Sequence, residues 1–282
     1  MFKFNFIDKN TNEISSDSLE TNQTVALCST QIFANETIPC LNISASDLNY
    51  FNCTNNLIVK YLSTNYIIKC MKDQSNAIIY ADRNHSDLVA GVYEGGLKIW
   101  ECTQDLINFI SFNNTQLANQ SVLDLGCGVG IIGTFCLLKG AFVYFQDYNP
   151  EVIRSVTIPN VMLNLENLKN VQEFSKFYSG DWTSFLDILK ENKIKFDIIL
   201  TSETIYNTES YSKLHSIFTN CLKKDGVVYV AAKTYYFGVG GGLRSFEEFV
   251  SSKGILNFTP VWTHSNGISR EIIKLSWKHE MQ

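Results

Sequence analysis

Val122-Leu123-Asp124-Leu125-Gly126-Cys127-Gly128-Val129-Gly130 carries an apolar run of strand length into a turn with three glycines, and a helical pattern begins directly after it at Ile131. Alternate glycines let the backbone bend sharply and approach a ligand closely, as a nucleotide-binding strand-to-helix turn requires. Outward from this turn, apolar runs at 142–145, 196–200, 227–231, 256–262 and 272–277 predict strands, and 171–178 predicts a weaker one. Helices are expected near Leu97, near Ile131, after Pro150, and over 211–222 and 243–251. This alternation predicts an α/β fold: a Rossmann-like sheet of seven strands, mostly parallel and covered by helices. The last two runs leave no room for a helix, so they are expected to form an antiparallel hairpin through Ser265-Asn266-Gly267.

The residues around the turn constrain the ligand. Gly128-Val129-Gly130-Ile131-Ile132-Gly133 satisfies the G-x-G-x-x-G dinucleotide pattern, and Asp147 lies about 20 residues on, so a nicotinamide dinucleotide has to be weighed. Asp124 argues against it. A carboxylate at the ligand end of the first strand would repel a pyrophosphate by about 1 to 4 kcal/mol at roughly 4 Å. It would favour S-adenosylmethionine, which carries an ammonium and a sulfonium and no phosphate; the alternative role for Asp124 is to cap the following helix. The terminal hairpin points the same way, because ordinary dinucleotide-binding sheets are all parallel and methyltransferases of this class end in a hairpin.

Asp147 ends the second strand, where a carboxylate accepts from the vicinal ribose hydroxyls. Tyr148 and Asn149 offer an aromatic face and an amide to an adenine, and Asp181, within Gly180-Asp181-Trp182, can accept from its exocyclic amine. Upstream, Gly91-Val92-Tyr93-Glu94-Gly95-Gly96-Leu97-Lys98-Ile99-Trp100-Glu101-Cys102-Thr103 joins a flexible loop to an amphipathic helix that lies over the cofactor, with Glu101 and Thr103 as polar candidates near its methionine end. After the fourth strand, Thr201-Ser202-Glu203-Thr204-Ile205-Tyr206-Asn207 reaches the transferred methyl. It lacks the Asn or Asp, prolines and aromatic with which base-methylating enzymes hold a nucleobase, and its hydroxyls and carboxylate suit a basic or imidazole side chain.

Composition bounds the rest. The 282 residues are 45% hydrophobic, enough for a sizeable core, and the net charge of -5 without any Lys/Arg run argues against nucleic acid as the partner. Lys3, Asp8 and Lys9 interrupt the first ten residues, which speaks against a secretory signal. No segment approaches the roughly 20 apolar residues of a membrane span. Eight cysteines without a C-x-x-C pair and four scattered histidines indicate neither zinc nor disulfides, so no metal is expected. Residues 1–85, rich in Asn, Ser and Thr with β-leaning runs at 57–62 and 66–71, form an expected accessory region, and 86–282 the catalytic domain. The run Gly238-Val239-Gly240-Gly241-Gly242 is either an access point for the substrate or a turn before a helix, and Tyr235, Tyr236 and Phe237 beside it either wall an acceptor pocket or belong to the core.

Together, segments 91–101, 124–130, 145–149, 202–206 and 236–242 resemble the eukaryotic protein-histidine N-methyltransferase family over about residues 87–250; Val129 stands where relatives often carry Ser, and the first 85 residues carry no resemblance. The resemblance implies transfer of a methyl from S-adenosylmethionine to the τ nitrogen of a histidine in a large-subunit ribosomal protein. It implies cofactor contacts from Ile99, Trp100, Glu101, Cys102 and Thr103, from Gly126, Cys127 and Gly128, and from Asp147, Gly180, Asp181, Trp182 and Ser202. It also implies a cytoplasmic and nuclear location, and a monomer is expected. Imidazole, with a pKa of about 6.5, needs no strong base, only a hydrogen bond on one nitrogen to present the other. Glu203 is the candidate for that bond, with Tyr206 or Thr204 in its place as alternatives; the competing role for Glu203 is to hold the methionine ammonium. Two other functions stay open, a protein-lysine methyltransferase of the same fold and a non-enzymatic ribosome-assembly factor.

Overall fold

A computed structural model describes residues 26–36, 43–54, 56–71, 77–84, 86–89, 91–165 and 167–278. The first ten residues, His85 and His279 lie outside them. The chain enters as a short strand, β1 (Thr30–Ile32), then forms the hairpin β2 (Leu48–Thr54) and β3 (Leu57–Leu62) and the helices α1 (Thr64–Met71) and α2 (Ala77–Arg83). The run at 66–71 was expected to be β-leaning and is instead helical, because burial of Tyr66, Ile67 and Met71 selects one helix face over the local β preference of Tyr and Ile.

From α3 (Glu101–Phe112) onward strands and helices alternate: β4 (Ser121–Leu125), α4 (Ile131–Leu138), β5 (Phe142–Asp147), then a helical stretch of α5 (Pro150–Val152), a π turn (Ile153–Thr157) and α6 (Ile158–Met162). There follow α7 (Leu168–Phe174), β6 (Ser175–Ser179), α8 (Trp182–Glu191), β7 (Phe196–Ser202), α9 (Tyr211–Cys221), β8 (Leu222–Lys233), α10 (Leu243–Lys253), β9 (Leu256–His264) and β10 (Arg270–Trp277). The weak strand expected over 171–178 is half helix: Asn167 accepts from the Asn170 amide at 3.0 Å and starts α7, leaving β6 only the end of the run. Helix α8 was not anticipated, although Asp181 caps it by accepting from the Thr183 amide at 2.8 Å.

The main sheet has the order β1-β6-β5-β4-β7-β8-β10-β9. Strands β4 to β8 pair in parallel, and β10 pairs antiparallel with both β8 and β9, so the C-terminal hairpin forms as expected. Among the described residues the sheet has eight strands and not seven, because β1 adds antiparallel to β6. The hairpin of β2 and β3 packs into the same body: Cys53, Val59 and Leu62 share one hydrophobic cluster with Leu106, Phe135 and Phe145. Each fully buried aliphatic or aromatic side chain of this kind contributes roughly 1.5 to 3 kcal/mol. Asn160 on α6 stitches the hairpin to the glycine turn, accepting from the Leu62 amide at 2.8 Å and donating to the Val129 carbonyl at 3.0 Å. Among the described residues no helix is long and apolar enough to cross a membrane, and no group of His, Cys, Asp and Glu is arranged to hold a metal.

Candidate active site

The turn after β4 is built from backbone that favours glycine. Gly126, Gly128 and Gly130 have φ of 71°, 48° and 81°, in the left-handed region where other residues are strained. Thr157, carried inward by the π turn, donates to the Gly128 carbonyl at 2.7 Å, and the Gly128 amide donates to Asp147 Oδ2 at 2.8 Å. A Cβ on Gly126 would stand 2.6 Å from Thr204 Cγ2, and one on Gly128 3.1 Å from the Gly96 carbonyl. The glycine turn, the 91–96 loop and the loop after β7 therefore converge at the carboxyl ends of the parallel strands, which is where open α/β sheets bind ligands.

They enclose a cavity of about 520 Å³. Ile99, Trp100 and Thr103 wall it on one side, Gly126, Cys127 and Gly128 at the base, and Asp147 and Tyr148 beside them. Gly180, Asp181 and Trp182 form the far end, and Ser202, Glu203, Thr204 and Tyr206 complete the wall after β7. Burial pushes the Asp147 carboxyl up to about 6, against the pull of the Gly128 and Asn149 amides. Its oxygens still have lone pairs to offer, since a carboxylate accepts about four hydrogen bonds. Asp181 is bridged by Lys213 at 2.7 Å; that ammonium and the Thr183 amide outweigh desolvation and hold its carboxyl below the ordinary range. Trp182 does more than pack, donating from Nε1 to Gln146 Oε1 at 2.7 Å. Ser202 Oγ is buried without a hydrogen-bond partner.

Four expected cofactor contacts do not wall the cavity. Asp124 is 1% exposed and its Oδ2 accepts from the Gly133 amide at 2.8 Å, so it anchors the first turn of α4 from behind the glycines. Burial raises its carboxyl to about 7, which weakens the argument built on its charge. Asn149 turns away to hold the 91–96 loop, donating to the Val92 carbonyl at 2.7 Å and accepting from the Glu94 amide at 3.1 Å. Glu101 faces Lys233, 3.0 Å from its Nζ. Cys102 is buried in the core, where desolvation and then the charge of Glu203 push its thiol well up.

Glu203 holds the centre of the loop after β7. It is a non-glycine residue at φ 60°, pinned by its own amide, which donates to the Ala231 carbonyl at 2.9 Å. Such backbone strain costs on the order of 1 to 3 kcal/mol and clusters at functional sites. Its Oε2 accepts from the Tyr236 hydroxyl at 2.5 Å, while Oε1 is buried 3.7 Å from Lys233 Nζ and has no hydrogen-bond partner among the described residues. Tyr206 donates to Glu94 Oε2, clasping the 91–96 loop to the loop after β7. Thr204 Oγ1 lies 2.7 Å from Thr201 Oγ1 and so faces its own strand. The glycine run after β8 fits against this loop: the Gly241 amide donates to the Tyr206 carbonyl at 2.9 Å, and a Cβ there would stand 2.3 Å from Tyr206 backbone atoms. Of the aromatics beside it, Tyr236 is buried against Glu203, whereas Tyr235 and Phe237 are exposed.

Glu94, Lys213 and Lys233 were given no role from the sequence. Lys233 had a visible signal, a charge closing an otherwise apolar strand end; Glu94 sat in a loop already suspected. Ala26 also walls the cavity, and a Cβ on Gly180 would stand 2.5 Å from Ser29 Cα, so residues 26–29 adjoin the site.

A family model described as "Lysine methyltransferase" matches residues 85–237. The chain is similar to a Dictyostelium discoideum protein named "Histidine protein methyltransferase 1 homolog", with 46% identity over 68% of this chain and 61% of that one. A Mus musculus protein of the same name is 41% identical over 72% of this chain and 62% of that one. The chain thus spans less than two thirds of these relatives. Among solved structures, a Streptococcus mutans protein described as a SAM-dependent methyltransferase superposes with a TM-score of 0.54 at 10% identity, covering 83% of this chain and 57% of that one, which speaks for the fold alone.

Proposed function

The chain belongs to the methyltransferase family that this model describes, and from that membership we propose that it is a protein-histidine N-methyltransferase acting on the τ nitrogen of a histidine in a large-subunit ribosomal protein. The names of its relatives support the histidine, and the resemblance of its motifs supports the ribosomal substrate and a cytoplasmic and nuclear location. S-adenosylmethionine is the cofactor, and the cavity suits it: an unpartnered buried hydroxyl at Ser202, spare acceptor capacity at Asp147 and a glycine backbone open to close approach. Asp147 would hold the ribose, Tyr148 and Trp182 would flank the adenine, and Thr103, Ser202 and the glycine turn would hold the methionine end. When bound, the cofactor supplies an electrophilic methyl whose C–S bond breaks as the acceptor nitrogen forms its bond to carbon.

The observation that carries the reading is Glu203, a residue of the cavity wall whose carboxylate has Oε2 fixed by Tyr236 and Oε1 without a hydrogen-bond partner among the described residues. An imidazole that donates its π N–H to Oε1 turns its τ lone pair toward the methyl. The Glu94–Tyr206 clasp holds the wall closed, so that the chain supplies alignment and exclusion of water. After transfer the imidazolium gives up its π proton to water, which its near-neutral acidity allows without a protein base. The family description favours a second reading, transfer to lysine. One experiment tests both: labelled cofactor, an extract of cells in which this gene is disrupted, and mapping of the labelled residue by mass spectrometry. Label on histidine is expected; label on lysine alone, or none, refutes the histidine reading.

A further inference from the structure

Lys233 closes β8 at the ligand end of the sheet and is 3% exposed, yet it does not wall the cavity. Its Nζ stands 3.0 Å from Glu101 Oε2 and 3.7 Å from Glu203 Oε1, and 5.8 Å from the ring centres of both Trp100 and Tyr236. Withdrawing an ammonium from water costs more than an apolar side chain of like volume would, so packing does not explain a lysine at this position. Glu203 itself belongs to the cavity wall, and its buried Oε1, the oxygen that faces Lys233, has no hydrogen-bond partner among the described residues.

We infer that Lys233 is a positioning residue that decides which side chain the site methylates, by answering the charge of Glu203 and Glu101 from behind the wall. This rests on the histidine reading. With Lys233 in place, Glu203 serves as a hydrogen-bond acceptor for a neutral ring but not as a counter-ion for an ammonium. Lysine, with a pKa of about 10.4, is neutral in only about one molecule in 10³ near pH 7.4, whereas most imidazole is already neutral. A lysine acceptor must therefore shed a proton before its nitrogen can bond to the methyl carbon, and the carboxylate that would hold its ammonium and take that proton is engaged by Lys233. In both cases the N–C bond forms, the S–C bond breaks with its electron pair staying on sulfur, and one proton leaves the nitrogen acceptor group.

The test incubates wild type, Lys233→Met and Lys233→Arg with labelled S-adenosylmethionine and an extract of gene-disrupted cells, hydrolyses the protein and resolves methylhistidine from methyllysine. Cofactor affinity is measured in parallel by calorimetry. Wild type and Lys233→Arg are expected to give methylhistidine alone. Lys233→Met is expected to keep cofactor affinity within about threefold while the ratio of methyllysine to methylhistidine rises at least about tenfold, a change of 1.4 kcal/mol in discrimination. Lys233→Gln, which keeps hydrogen bonding and removes the charge, carries the same expectation should the Met variant not fold. A wild-type product ratio in a folded uncharged variant overturns the role of Lys233 alone. Wild-type protein that labels lysine or nothing overturns the histidine reading, and this inference with it.

Discussion

Replacing Asp124 by Asn separates two roles for that carboxylate. Burial raises it to about 7 from an unfolded value of 3.8. A group whose folded pKa lies above its unfolded pKa adds stability that is fully present below pH 3.8 and is lost as pH rises through about 7. Across the whole window, roughly three units at 1.36 kcal/mol each amount to about 4 kcal/mol. Between pH 5 and pH 8 about two units are traversed, or about 3 kcal/mol. Asn keeps an acceptor for the Gly133 amide and cannot ionise, so D124N is expected to lose about 3 kcal/mol less than wild type over that interval. Any cost of its amide N–H is the same at both pH values and cancels. Urea unfolding of the cofactor-free protein at pH 5 and pH 8, followed by circular dichroism, measures the difference. Equal pH dependence of the two proteins, within about 0.5 kcal/mol, would refute the burial argument. The same variant tests placement: since Asp124 lies behind the wall, cofactor affinity should hold within about threefold at pH 8, whereas a direct charge contact would cost about 1 to 4 kcal/mol of binding.

Glu203→Gln is expected to lower turnover by about 10²-fold with cofactor affinity nearly unchanged, and to release both ring isomers of methylhistidine; chromatography of hydrolysed product decides, and weak cofactor binding with normal turnover would assign Glu203 to the methionine ammonium. Asp147 is pushed up to about 6, so if its ionised form holds the ribose, cofactor affinity should fall about tenfold per pH unit below 6 and level off above it. Asp147→Asn should bind weakly and without that dependence, as titration calorimetry from pH 5 to 8 would show. Gly126→Ala places a Cβ 2.6 Å from Thr204 at φ 71° and should cost about 1 to 3 kcal/mol in stability; an unchanged melting curve would mean the loops do not converge as described.

Where pattern and packing agreed, the sequence was sufficient. The apolar run into Gly126 is legible because a buried parallel strand and a glycine turn leave few alternatives, and the terminal hairpin because no helix fits between 262 and 272. Val171 misled because its run mixes a capped helical turn with a strand, and only the Asn167 side chain marks the boundary. At the candidate site, the residues of the strand ends and adjoining loops that wall the cavity were legible, since their positions follow from topology. Asp124, Asn149, Glu101 and Cys102 were assigned by proximity along the chain, whereas side-chain direction sends each of them to a neighbour away from the cavity. Lys233 escaped notice because its meaning comes from Glu101 and Glu203, which lie far from it in sequence.

Strand β1 ties two equilibria together. Its residues hold the open edge of β6, and Ala26 just before it is part of the cavity wall. A ligand that touches Ala26 would favour docking of this ribbon, and docking would favour the ligand by the same factor. Backbone amides near Gln31 become a built-in gauge of ligand, exchanging with heavy water more slowly as the pocket fills, and a protease that reaches this ribbon would report an empty pocket.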